Sequence, residues 1–484
     1  MEGPLPSLQA IPWIDPAAAF AALAEGDPPA RRLVFLDSAG PPGPTARWSI
    51  LADDPFEVIT AGTRPFDRIE AALSQRDAAP GAIPFAAGGA IGYLGYGLRH
   101  ALERLPRRLP PAPEPDLWLG LYDTLAVFDR LTRSAWIVST GLPERSGPPA
   151  RACARERAQR MKSRLPRPSR EHDEARLRPL LSREDLAPRF HPSIVPAGYA
   201  QAVEHALAWI RAGDIYQANL AYRIDTPCPL SGPRLYLKLR AISPAPFGAY
   251  LDPGDFQVLS NSPERFLFLD QDRIETRPVK GTRPRGADPA DDARQAEDLL
   301  ASTKDFAEHV MIVDLERNDL GRVARPGSVR VERLAALESY ANVHHLVSVV
   351  AASPRLGAGP VDCLRACFPG GSVTGAPKIR AMEIIEMLET SPRGIYTGAI
   401  GGIDFSGRMD FAIAIRTAVV RDGVARFHTG GAIVADSKPE TEYGETITKA
   451  EAFLRALVPE RQGCAAASRS LFAGSSSRDG SSYT

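Results

Sequence analysis

Between Gly394 and Ala435 the chain reads as three successive strands broken at Ser406-Gly407 and Asp422-Gly423. Polar-glycine breaks of this kind favour tight reversals, which commits the stretch to sheet. Phe266 to Leu269 and Arg273 to Val279 flank Asp270-Gln271-Asp272 and predict an antiparallel hairpin with Lys280 at its far end. Arg32 to Leu36 and the hairpin-like stretch Leu125 to Thr140 extend the same character upstream. Helices alternate with this sheet. Tyr199, Val203, Ala206 and Ile210 form one apolar stripe, stopped by Gly213-Asp214, and a strand from Tyr216 to Ile224 follows. Asp288 to Asp319 has a helical period. Ser437-Lys438-Pro439-Glu440 resembles a capping box that opens a final helix, with Ile447, Ala450, Leu454 and Leu457 behind it.

These patterns divide the chain into a sheet-rich segment 1–142, an Arg- and Pro-rich linker 143–196 around one exposed helix, a main domain 197–458 and a disordered Ser- and Gly-rich tail 459–484. With 44% hydrophobic and 24% charged residues the chain can bury a sizeable core. Its 58 basic and 58 acidic residues leave no net field to recruit nucleic acid or a membrane surface, so an anionic ligand must be held by local charge. The five scattered cysteines read as reduced thiols. The first basic residue is Arg31, and no apolar run approaches ~18 residues, so a cytoplasmic location is expected.

Two acidic pairs, Asp305 with Glu308 and Glu442 with Glu445, each stand three apart on one helical face. Facing each other, they would make an oxygen-rich site suited to magnesium; by spacing alone, two solvated faces are the simpler reading. Backbone N–H groups in the glycine-rich turns Phe368 to Gly375 and Thr429-Gly430-Gly431 could hold an anion, and a tight turn explains them equally. Arg416 falls in an alternating run, Phe411 to Val419, where an inward charge needs a partner such as a carboxylate. His344-His345 precede an apolar run and read as structural on composition.

Six ordered segments change that balance. They are Ser260 to Phe266, Pro278 to Gly286, Ala307-Glu308-His309 to Leu320, Gly370 to Lys378, Ile415-Arg416-Thr417 and Gly431 to Asp436. Together they resemble the chorismate-binding family that includes the large subunits of anthranilate synthase and aminodeoxychorismate synthase. The resemblance is strong over 197–458 and looser through Arg47 to Leu51, Gly88 to Tyr96 and Pro115 to Asp123. It implies an α/β fold of the α+β type, with large antiparallel sheets packed by helices and a cleft between two halves.

The resemblance places magnesium ligands on Glu308 and Glu445, with Asp305 and Glu442 acting directly or through metal-bound water. Arg416, Tyr396 and the Gly430-Gly431-Ala432 backbone fall where the family binds a substrate carboxylate. Ala432 replaces a glycine common there. Ser372 and His345 fall beside the substrate ring. Pro278-Val279-Lys280-Gly281-Thr282 carries the lysine that marks the branch aminating chorismate at C4, whereas anthranilate synthases usually have alanine at that position. Gln217 stands where water-adding relatives carry a general-base lysine. The implied chemistry has Lys280 as nucleophile and Glu264 as general acid. Lys280 must then be neutral, helped by the cations Arg277 and Arg283, and Glu264 must stay protonated. Ammonia would come from a separate glutamine amidotransferase subunit, with the product feeding 4-aminobenzoate and folate biosynthesis. The alternatives are an anthranilate-forming enzyme and a chorismate-binding regulator without turnover.

Overall fold

A computed structural model describes residues 7–74, 81, 83–144, 147–167, 191–340 and 343–457. The expected tail lies outside them, as does most of the polar stretch Arg167 to Asp173. Two large antiparallel sheets organise the chain, one of twelve strands and one of ten among the described residues. This is the expected mixed α/β architecture.

The stretches 1–142 and 197–458 do not own a sheet each. In the first sheet Val34–Asp37 pairs with Phe247–Leu251, and in the second Gly89–Leu94 pairs with Ala399–Asp404. Residues from both parts of the chain therefore interleave in both sheets. Helices Pro196–Arg211, Gly232–Ile242 and Pro439–Leu457 contribute to the core of the first sheet. Thr303–Gly321 and Pro360–Cys367 pack similarly on the second. Between the sheets lies a third core in which Val34 and Val258 of one meet Ile91, Trp118 and Ile400 of the other. Burying each such large apolar side chain stabilises by about 1.5–3 kcal/mol, which locks the mutual orientation of the sheets.

Several expected elements differ in detail. The helix at Gly147–Arg164 is not a free linker helix: Ala150, Ala154, Ala158 and Met161 are buried against the sheet. Alanines at helical spacing are a weak apolar signal that the surrounding arginines mask. Asp288 to Asp319 is two helices, Pro289–Ala301 and Thr303–Gly321, because the Ser302 side chain caps the second by accepting the Asp305 amide. Ser437 accepts the Val434 amide instead of capping the last helix. Four strands rather than three occupy the stretch after Gly394, at Ala399–Asp404, Met409–Ile413, Thr417–Arg421 and Val424–Ile433. Lys280 stands inside its own strand, Val279–Pro284, which pairs with Val343–Ala352. Among the described residues no helix is long and apolar enough to cross a membrane.

Candidate active site

Two of the chain's crossovers between the two sheets lie side by side. Strand Gln257–Ser262 belongs to the first sheet and Arg265–Asp270 to the second, with Pro263 and Glu264 between them. Met409–Ile413 belongs to the second and Thr417–Arg421 to the first, with Ala414, Ile415 and Arg416 between. The crossovers are tied together, Ile413 N–H donating to the Glu264 carbonyl at 3.1 Å and Asn261 N–H to the Arg416 carbonyl at 2.9 Å. Arg416 is thus not a strand residue. It adopts φ +50°, the left-handed conformation of a reversal between sheets.

Lys280 lies where the pairing with Val343–Ala352 shifts register between Lys280 and Thr282. Gly281 absorbs the bulge at φ +74°, a conformation that glycine adopts without steric cost. The Lys280 ammonium donates to Glu308 Oε1 at 2.7 Å, and both side chains are largely buried. Arg277 and Arg283 do not act on Lys280 as bare cations: Arg277 pairs with Glu338 at 2.6 Å, and Arg283 with Asp298 at 2.5 Å and Asp305 at 3.1 Å. Their fields are largely cancelled by their own carboxylates.

Glu264 is buried, accepts the Val279 amide at 3.4 Å, and lies in the field of Lys280 and Lys449. Burial outweighs these contacts and pushes its carboxyl up to about 7, so near neutrality it is a proton donor as well as an acceptor. Ser372 is buried beside Glu264; its hydroxyl pulls that carboxyl down without making a hydrogen bond of full geometry. Glu316, two helical turns beyond Glu308, is a second buried acid near Glu264. Burial and the Glu264 charge raise it, while Thr276 donates to it at 2.7 Å.

Arg416 is partly exposed; burial lowers its pKa, and it makes no ion pair among the described residues. Tyr396 lies in its field, stacks on His428 with centroids 5.2 Å apart, and is pushed up to about 12 by burial. His345 shares Nδ1 with the Thr282 hydroxyl at 2.9 Å, and burial, followed by the Arg416 charge, lowers it to about 4. Its neighbour His344 is structural, held by Ser339 and Asp292.

The last helix closes the site. Glu445 pairs with Lys449 at 2.7 Å, and Lys449 also donates to the Gly430 carbonyl at 3.0 Å. Burial raises Glu442, whereas Lys449 with Lys280 brings Glu445 below its usual range despite burial. Gly430 and Gly431 lie opposite Ala221 and Leu220; a Cβ on Gly430 would stand 2.4 Å from the Leu220 carbonyl, so no larger residue fits there. Ala432 pairs with Asn219.

Hydrogen bonds and charge fields thus link Lys280, Glu264, Glu308, Ser372, His345, Arg416, Tyr396 and Glu445 into one neighbourhood, while Asp305 turns to Arg283. Lys449 was missed, although its position four residues after Glu445 is a spacing signal. Glu316 carried none. The four carboxylates supply the hard oxygen donors that magnesium takes, but each of Glu308, Glu445 and Asp305 is engaged by a cation, and no three acidic, His or Cys groups converge as ligands among the described residues. A cleft of about 380 Å³ elsewhere, lined by Asp53, Asp54, Asp123, Arg157, Arg160 and Arg164, is bridged by ion pairs between these groups and contains no expected site residue.

A family model described as chorismate binding enzyme matches residues 35–455. The chain belongs to this family of chorismate-utilising enzymes. It is 42% identical over 394 residues to anthranilate synthase component 1 of Thermus thermophilus, covering 81% of each chain. It is 39% identical over 374 residues to aminodeoxychorismate synthase component 1 of Bacillus subtilis, covering 76% of this chain and 77% of that protein. Anthranilate synthase component I from Streptococcus pneumoniae superposes with a TM-score of 0.72 at 33% identity, over 86% of this chain and 93% of that one.

Proposed function

We propose that the enzyme is an aminodeoxychorismate synthase component 1, converting chorismate and ammonia to 4-amino-4-deoxychorismate for 4-aminobenzoate and folate biosynthesis. The observation that carries this reading is Lys280 in the field of a buried, protonatable Glu264, whose carboxylate accepts the Val279 amide next to it. Lys280 Nζ attacks ring carbon C2, the double bonds shift, and the C4–O bond breaks as Glu264 protonates the departing hydroxyl. Ammonia then adds at C4, the double bonds return, and the C2–N bond to Lys280 breaks. A positioned acid contributes roughly 10²–10⁴-fold to such a step. Before attacking, Lys280 must leave Glu308 and lose its proton.

Arg416, Tyr396 and the Gly430 to Ala432 backbone bind a substrate carboxylate, with His345 and Ser372 beside the ring. Magnesium would be held by Glu308 and Glu445, with Asp305 and Glu442 direct or through water once their present cation partners are displaced, and would supply countercharge for the other carboxylate. Ammonia comes from a glutamine amidotransferase subunit. The enzyme works in the cytoplasm.

The second reading, anthranilate synthase component 1, has the support of relatives so named at comparable identity. One assay separates them: product identification after incubation with chorismate, magnesium and ammonium, with and without added 4-aminodeoxychorismate lyase. The expected result is 4-amino-4-deoxychorismate, turned into 4-aminobenzoate only when the lyase is present. Fluorescent anthranilate would overturn the proposal, as would free 4-aminobenzoate without lyase.

A further inference from the structure

Arg393 is 4% exposed, has no role in the chemistry above, and pairs at 2.7 Å with Glu389, itself 9% exposed. Glu389 ends the helix Lys378–Leu388, and Arg393 lies in the connection that leads on to Tyr396. Every guanidinium N–H is committed. Nε and Nη2 donate to Glu389 at 3.0 Å and 2.7 Å. Nη2 also donates to the Asn219 carbonyl at 2.6 Å, and Nη1 to the Val373 carbonyl at 2.9 Å and Thr397 Oγ1 at 3.1 Å. Glu389 Oε1 in turn accepts the Ala221 amide at 2.9 Å. Each of these contacts adjoins a group assigned above to the substrate. Val373 follows Ser372, and Thr397 follows Tyr396, whose carbonyl accepts the Thr397 hydroxyl at 2.6 Å. Asn219 and Ala221 lie opposite Ala432 and Gly430 in the sheet. The Thr397 amide also donates to the Ala414 carbonyl at 2.8 Å, in the crossover that carries Arg416. A buried ion pair often adds no more stability than apolar side chains of the same volume. What apolar side chains could not do is fix three backbone segments relative to one another through directed hydrogen bonds.

We propose that the Arg393–Glu389 pair is the positioning element of the carboxylate-binding part of the site, holding the segments of Ser372, Tyr396 and Gly430 to Ala432 in register with one another. This rests on the reading that those groups bind chorismate. Lysine is no substitute at position 393: its ammonium has fewer donors and no planar face to lie over the Tyr96 ring, whose centroid is 4.7 Å from Arg393 Cζ.

The test uses the full chain. In Arg393→Lys, hydrogen exchange read by mass spectrometry should quicken about 10-fold or more in peptides spanning 217–221, 371–376 and 395–398, with strands Trp48–Ala52 and Leu117–Tyr122 unchanged. KM for chorismate should rise about 10- to 100-fold with kcat nearly unchanged, the mark of lost uniform binding. Exchange that quickens throughout the chain, or in none of the three segments, overturns the proposal. Thr397→Val leaves the ion pair intact and probes the same link should the lysine variant not fold. Its KM should rise about 2- to 10-fold, and Thr397→Ser, which keeps the hydroxyl, should recover most of the loss. Equal KM values in these two variants overturn the proposal. Adding Tyr396→Phe to Arg393→Lys should raise KM no further, whereas increases that multiply mean that pair and tyrosine act independently, which also overturns it. If Tyr396→Phe and Ser372→Ala alone leave KM unchanged, the substrate reading of those groups fails, while the exchange pattern still decides whether the pair holds the three segments.

Discussion

The surroundings of Lys280 and of Arg416, here called the two walls of the candidate site, balance their charges differently. Around Lys280 nearly every charge has a counterion within the protein: Lys280 with Glu308, Lys449 with Glu445, and Arg283 with Asp305. Arg416, by contrast, is desolvated and makes no ion pair among the described residues. The paired wall is complete without ligand, whereas the Arg416 wall carries an unpaired positive charge whose natural complement is an external carboxylate. The difference teaches that substitutions on the first wall disturb both folding and chemistry, while those on the second register mainly as lost binding.

Lys280→Ala should break the paired wall most severely. Turnover of chorismate should vanish, no covalent adduct should appear by intact-mass analysis, and the stranded Glu308 should cost up to about 3–5 kcal/mol, read as a lower denaturation midpoint. An adduct equal to that of the unaltered enzyme would remove Lys280 from the proposed chemistry. Glu264→Gln comes next, with kcat down roughly 10²–10⁴-fold. Burial raises this carboxyl to about 7, so the acid form prevails below that pH and is lost above it. The rate of the unaltered enzyme should therefore fall as pH rises through about 7, and the Gln variant should lack that limb; an identical limb in both would assign it to another group.

Arg416→Lys tests the other wall. Losing charge-assisted hydrogen bonds worth about 1.5–3 kcal/mol should raise KM about 10- to 100-fold. Thermal stability should not fall, because no ion pair is lost; a lower melting temperature would mean that Arg416 has a hidden structural partner. Tyr396→Phe is the mildest change, with KM rising about 2- to 10-fold for one neutral hydrogen bond, and a large fall in kcat instead would move Tyr396 from binding to chemistry.

What was legible in the sequence is what local physics writes into it. Period-two runs and polar turns announced the strands around Phe266 and Arg273, and apolar stripes announced the helices beginning near Pro196 and Pro439. Motif order singled out Lys280, Glu264, Arg416 and the acidic pairs, and in the fold Lys280 meets Glu308 while Glu264 lies in its field. The misreadings have one cause. Phe411 to Val419 alternates like a single strand, but the chain leaves one sheet for the other at Arg416, and alternation is blind to which sheet a strand joins. Likewise the buried alanine face of Gly147–Arg164 was hidden because burial depends on what lies opposite.

By itself, then, the sequence supplied the candidate residues, since side-chain chemistry and spacing are local properties. Only the tertiary structure decided the electrostatics: that Arg277 and Arg283 are neutralised by their own carboxylates, that Lys280 rests on Glu308, that burial keeps Glu264 protonatable, and that Arg416 makes no ion pair among the described residues. Those properties come from distance and solvent exclusion between segments far apart in the chain, which two crossovers between two sheets bring together.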